Sequence, residues 1–187
     1  MSLSNKRQIT LRPVTEGDAA SILEIYSPIV LTSSITYEET PPTLLEMKER
    51  ITKVTAKYPW LVAIDPETLQ LIGYAYASTH RERAAYRWAT EVSVYIRDGF
   101  KGSGVGKRLY SELLDSLREL GYFKALAGIS LPNEASVRLH ESMGFKAIGT
   151  YPRIGFKFGQ WHDAGWWEFD LQKSGQMPSE PLKPKAT

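Results

Sequence analysis

The chain has 187 residues and carries 23 basic against 21 acidic side chains, a formal net charge of +2, too balanced for a partner bound through an overall basic field, such as nucleic acid. Hydrophobic residues make up 42% and charged residues 24%, which excludes the disordered and fibrous classes and predicts one domain with a sizeable core. The absence of cysteine rules out disulfides, thiolate metal ligands and a cysteine nucleophile, and with no apolar run near the ~18 residues of a membrane span and no signal-like start, a cytoplasmic protein is expected.

Residues 1–7 are read as a flexible N-terminus, residues 8–172 as the folded domain and residues 173–187 as a disordered tail with three prolines and little to bury. Within the domain, residues 8–12 alternate as a short strand closed by Pro13. Thr15 to Asp18 offer helix-capping oxygens, and Ile22, Ile25, Tyr26, Ile29 and Val30 follow at helical spacing. After Pro41-Pro42 a second amphipathic helix is predicted over 43–57. Residues 60–64 and 69–78 read as a hairpin around Asp65-Pro66-Glu67-Thr68. Residues 90–96 form a third run, with Glu91, Ser93 and Tyr95 on one face and Val92, Val94 and Ile96 on the other.

A glycine-rich stretch, Lys101-Gly102-Ser103-Gly104-Val105-Gly106-Lys107, then leads into a helix whose stripe runs through Leu109, Leu113 and Leu117 to a stop at Gly121. A strand over 125–131, a helix over 133–143 ended by Gly144, and strands over 147–152 and 166–171 complete the domain. The order is β-α-α-β-β-β-α-β-α-β-β, an α/β (α+β) fold around a mostly antiparallel sheet flanked by helices.

Between a strand and a helix, the glycine-rich stretch suits a phosphate, because glycines let the backbone approach and first-turn amides converge on an anion. It is neither a Walker loop nor a dinucleotide fingerprint, since Lys101 and Arg108 fill the places of the Walker glycine and Ser/Thr, and Lys107 stands where the last fingerprint glycine belongs. A solvated glycine-rich connection with a basic rim is the other reading. His80, His140 and His162 have no metal-ligand spacing, so no metal is expected, and no serine sits in a Gly-x-Ser-x-Gly elbow.

Taken together over residues 91–145, the strand, basic-x-x-Gly-x-Gly loop, helix, strand, Asn-started helix and Gly-Phe turn resemble the GNAT N-acetyltransferase superfamily. The stretches 85–91, 93–95, 131–141 and 155–163, among them Leu131-Pro132-Asn133 and Gly155-Phe156-Lys157-Phe158-Gly159-Gln160-Trp161-His162-Asp163, resemble its phosphinothricin acetyltransferase branch, with a likeness spanning about residues 8–171. The resemblance implies acetyl-CoA as cosubstrate, its pyrophosphate on Lys101, Gly102, Ser103, Gly104, Val105, Gly106 and Lys107, and its pantetheine arm against Val94 and Ile96 where two parallel strands splay. Lys101 departs from the superfamily's usual arginine or glutamine, keeping the charge but losing the planar fork.

The resemblance further implies that Glu91 is the general base, a role that chemistry demands because an amine is mostly protonated at neutral pH; an ordinary strand-edge ion pair is the alternative. It implies that Asn133 binds the pantetheine arm and that His140, seven residues on and so on nearly the same helix face, acts as acid toward the departing thiolate. Helix capping for Asn133 and packing for His140 are the plain readings. For the acceptor, Tyr37 and Glu38 fall where the superfamily builds its pocket, and Arg81 or Arg83 offers a fork for a carboxylate, unless both are merely solvated. The aromatics Phe156, Phe158, Trp161, Trp166 and Trp167 belong either to the core or to a homodimer interface like that of the branch. The expected activity is acetyl transfer to the α-amine of a small amino-acid-like compound of the phosphinothricin or methionine sulfoximine type. The alternatives are another small amine, an ordinary amino acid, or a sensor that binds acetyl-CoA without turnover.

Overall fold

The computed structural model describes residues 9–173 and 175–184; the expected flexible N-terminus, 1–7, lies outside them, as does the start of the first predicted strand. Strands β1 (Thr10–Pro13), β2 (Trp60–Ile64), β3 (Leu71–Thr79), β4 (Ala89–Ile96), β5 (Lys124–Leu131), β6 (Lys146–Lys157) and β7 (Gln160–Asp170) form one sheet in the order β1-β2-β3-β4-β5-β7-β6. All neighbours run antiparallel except β4 and β5, which are parallel. The helices are α1 (Ala19–Thr32), α2 (Leu44–Thr55), α3 (Val105–Glu119) and α4 (Glu134–Ser142).

Alternation along the strands divides the apolar side chains between two cores, one on each face of the sheet. Trp60, Val62, Leu71 and Tyr74 pack with Ile22, Val30, Met47 and Ile51 of α1 and α2. Their sequence neighbours Leu61, Ala63, Ile72 and Ala75 pack with Leu109, Leu113 and Leu117 of α3 on the other side. Helix α2 starts where the sequence predicts, because Thr43 and Glu46 form a reciprocal cap: the Thr43 N–H donates to Glu46 Oε2 at 2.7 Å and the Glu46 N–H to Thr43 Oγ1 at 3.3 Å. At the start of α1, Arg12 grips the Asp18 carboxylate with two bonds of 2.8 and 2.7 Å, fixing the turn between β1 and the helix.

Two segments differ from the sequence reading. Strands β6 and β7 are longer than predicted, because β6 is exposed at every residue from Lys146 to Ile154 and so lacks the buried face that would advertise a strand. Residues 175–184, expected to be disordered, lie against the body. The Trp88 indole donates to the Ser179 carbonyl at 2.7 Å, Glu180 pairs with Arg87 at 2.7 Å, and the Leu182 N–H donates to the Leu120 carbonyl at 2.8 Å just past the end of α3. The segment is thus held through backbone groups and one ion pair, which a count of buriable side chains does not register. None of the described helices is long and apolar enough to cross a membrane.

Candidate active site

The parallel pairing of β4 and β5 covers only Ala89↔Lys124, Thr90↔Ala125 and Glu91↔Leu126. Beyond Glu91 the two strands part, β4 staying with β3 as far as Ile96↔Gly73 and β5 staying with β7 as far as Leu131↔Asp163. The gap is a cleft with Ser93, Val94 and Tyr95 on one wall, Gly128 and Ser130 on the other, and Asn133 and His140 of α4 closing it. Its facing strand edges no longer pair with each other, so they suit an extended ligand with amides of its own. A hollow of about 500 Å³ adjoins it between Leu131, Pro132, Asn133 and Asp163.

Glu91 is the last residue of β4 paired with β5 and stands where the cleft opens, without itself being among the residues that line it. Its side chain is one-third exposed, and His80 Nδ1 lies 2.9 Å from Oε1. The strand-edge partner that the sequence raised as the alternative is a histidine within hydrogen-bond distance.

At the far end of β4 the glycine-rich loop leads into α3. Gly104 occupies the N-cap position with φ of 86°, and no side chain caps the helix there, so the first-turn N–H groups of α3 are open to an anion. Lys101 pairs with Asp98 at 2.6 Å, both exposed, and the ammonium holds the Asp98 carboxyl below its ordinary range. The Ser103 hydroxyl donates to the Phe100 carbonyl, and Lys107 is exposed. Two of the residues expected to meet the ligand have packing roles. Val105 is buried in the core, leaving only its backbone for the loop, and a Cβ on Gly106 would come within 3.3 Å of Leu139 Cδ2 on α4. Ile96 shares that contact region, beside both Gly73 and Gly106.

Asn133 is the N-cap of α4: its Oδ1 accepts from the Ser136 N–H at 3.2 Å while the residue lines both the cleft and the adjoining hollow. His140 is buried, with Nδ1 2.8 Å from the Ser136 carbonyl and Nε2 2.9 Å from the Tyr110 hydroxyl. A carbonyl only accepts, so Nδ1 carries the proton, and Nε2 offers its lone pair to the Tyr110 O–H. Burial lowers the His140 pKa, the Ser136 bond opposing it in part, and burial raises that of Tyr110 well above its ordinary value. The ring expected to act as an acid is therefore a neutral acceptor with both nitrogens occupied, and the hydroxyl beside it belongs to a residue that sequence reasoning passed over. Tyr110 falls within the apolar stripe of α3, where nothing local separates it from Leu109 or Leu113.

On the α1 and α2 side, the loop after α1 brings Ile35 to the cleft. Tyr37 donates to the Asp163 carbonyl at 3.3 Å, its ring so close over Gly155 that a Cβ there would lie 2.6 Å from it. Glu38 pairs with Arg50 of α2 at 2.7 Å. The loop is locked by Lys157, whose buried ammonium donates to the carbonyls of Val30, Ser33 and Thr36 at 2.7, 2.9 and 2.9 Å. Arg81 and Arg83 are exposed on the loop after β3, without an ion pair among the described residues, and neither lines the cleft. The aromatic cluster splits: Trp167 is buried in the core, whereas Phe156, Phe158 and Trp161 are exposed. Ser130 Oγ, buried and without a hydrogen-bond partner among the described residues, is a further polar atom on the cleft wall that the sequence did not mark. No group of three metal-ligating side chains occurs among the described residues.

The model of the acetyltransferase (GNAT) domain family matches residues 11–166. The phosphinothricin N-acetyltransferase of Streptomyces viridochromogenes is 36% identical over 179 residues, covering 96% of each chain. The L-methionine sulfoximine/L-methionine sulfone acetyltransferase of Salmonella typhimurium is 34% identical over 166 residues, 88% of this chain and 96% of the relative. Among solved structures, a GNAT superfamily phosphinothricin acetyltransferase from Sinorhizobium meliloti in complex with AcCoA superposes with a TM-score of 0.89 at 39% identity, covering 94% of this chain and 96% of that one.

Proposed function

The chain belongs to the GNAT acetyltransferase family, and from that premise we propose that it moves the acetyl group of acetyl-CoA to the α-amine of a small amino-acid-like compound of the phosphinothricin or methionine sulfoximine type. The observation that carries this reading is the end of the β4–β5 ladder at Glu91. A carboxylate ends that pairing, and past Ile96 the same strand leads through the glycine-rich loop to a helix start with no side-chain cap.

On this reading the pantetheine arm lies along the parted strand edges beside Val94 and Asn133, and the pyrophosphate meets the loop from Lys101 to Lys107. The acceptor enters from the α1 and α2 face, under the loop carrying Ile35, Tyr37 and Glu38, with Arg81 or Arg83 reaching its carboxylate. Glu91 takes a proton from the ammonium, the free amine attacks the thioester carbonyl, and the tetrahedral intermediate collapses with cleavage of the C–S bond. The nitrogen loses its second proton in that collapse, and the thiolate gains one. His140 and Tyr110 border the cleft beside this step, the Tyr110 O–H donating to His140 Nε2. With no cysteine in the chain, attack is direct, in a ternary complex.

A homodimer is part of the same proposal, supported by the exposed Phe156, Phe158 and Trp161 on the β6–β7 hairpin. The functional test is release of free CoA thiol with a panel of amines. Turnover of phosphinothricin or methionine sulfoximine well above that of simple alkylamines is expected. No thiol release with any amine, despite acetyl-CoA binding, would replace this reading with that of a sensor.

A further inference from the structure

His80 sits one residue past the end of β3, two beyond Ser78, which stands opposite Glu91 across the β3–β4 ladder. Its Nδ1 is 2.9 Å from Glu91 Oε1, and no other hydrogen bond to that carboxylate occurs among the described residues. An ionised carboxylate has no proton to give, so at this distance the proton lies on Nδ1 and the imidazole donates. The ring cannot swing freely, because it is packed edge-on against Tyr86 and Trp166, with centroids 5.9 and 6.0 Å away. Its side chain is half as exposed as that of Glu91, 16% against 33%. An isolated glutamate at that exposure samples several rotamers; this one is tied at one oxygen to a ring wedged between the turn Ala84–Tyr86 and β7.

We propose that His80 is a positioning residue of the reaction: its Nδ1–H holds Oε1 of Glu91 so that Oε2 is presented to the acceptor's ammonium. This rests on the reading of Glu91 as general base and deepens it. A base acts only within hydrogen-bond reach of the proton it takes, and displacement of a reacting group by about 1 Å can cost 10²-fold in rate. Fixing one oxygen reserves the other for the amine.

The test uses the purified full chain and four variants. His80→Phe keeps a ring between Tyr86 and Trp166 but has no N–H; His80→Asn keeps an N–H close to the place of Nδ1 but has no ring. His80→Phe is expected to lower kcat by about 10- to 100-fold, the scale of a lost hydrogen bond to a charged group, with acetyl-CoA affinity and acceptor KM within about two-fold of wild type. His80→Asn should recover most of the lost kcat, which a merely structural role for the ring does not allow. On a Glu91→Gln background His80→Phe should add almost nothing, since it acts through Glu91. Wild-type kcat in His80→Phe, or His80→Asn as slow as His80→Phe, overturns the proposal even where Glu91→Gln is slow. Wild-type kcat in Glu91→Gln instead removes the base itself, and the proposal with it.

Discussion

The Tyr110 hydroxyl lies 2.9 Å from Nε2 of His140, thirty positions later in the chain, and both side chains are buried. Because Nδ1 donates to the Ser136 carbonyl, the pair is stable only while His140 is neutral. Protonating Nε2 removes the acceptor and puts a charge beside Tyr110 and Phe145.

That relationship sets a pH dependence of stability. Burial depresses the folded-state pKa of His140, so below about pH 6.5, where histidine in the unfolded chain titrates, the unfolded state binds the extra proton first. The contribution is fully present above that pH and is lost as pH falls from there toward the folded-state value, at no more than about 1.4 kcal/mol per pH unit for one proton. Urea denaturation of the wild type and of His140→Gln between pH 7.5 and 5 should show the stability gap between them closing as pH falls. A gap of constant size contradicts a buried neutral His140.

Gly104→Val should weaken acetyl-CoA binding by more than about 10-fold while leaving the domain folded. A Cβ at this position meets nothing within 4 Å, yet φ is 86°; a β-branched residue resists that conformation and would project from the helix start where the pyrophosphate is placed. Calorimetry of CoA binding together with a circular dichroism spectrum checks both halves of the prediction, and unchanged affinity contradicts the loop assignment.

If Arg81 or Arg83 holds the acceptor's carboxylate, replacing the responsible arginine with alanine should raise KM for an amino-acid acceptor about 10- to 150-fold more than for its amide, with KM for acetyl-CoA nearly unchanged. Both arginines are exposed in the structure, so the fold should tolerate either change. Wild-type acid-to-amide ratios in both single variants and in the double variant remove the carboxylate contact from the account.

The helices, the glycine-rich loop and the alternation of β4 were legible in the sequence because each is written within a few residues: Leu109, Leu113 and Leu117 mark α3, and Gly104 marks its start. Glu91, Asn133 and His140 were found as members of a motif; in the structure Asn133 and His140 line the cleft, and Glu91 stands where it opens. Their partners were not legible, since the bonds that define them join distant positions. His80 reaches Glu91 across a strand pair, Tyr110 reaches His140 from another helix, and the Lys157 ammonium reaches carbonyls 121 to 127 residues earlier. Each partner looks locally like something plainer, Tyr110 like core and Lys157 like one more charge on an exposed hairpin. The contacts of the tail are not legible for a related reason, its anchors at Ser179 and Leu182 being backbone groups that composition does not register.

The most direct measurement is the turnover number of Glu91→Gln at saturating acetyl-CoA and acceptor near neutral pH, set beside its acetyl-CoA affinity. The amide is nearly isosteric with the carboxylate but cannot take a proton, so kcat should fall by about 10² or more while acetyl-CoA affinity stays within a few-fold of wild type. A kcat near that of the wild type would contradict the account, because the carboxylate where the cleft opens would then have no part in activating the amine.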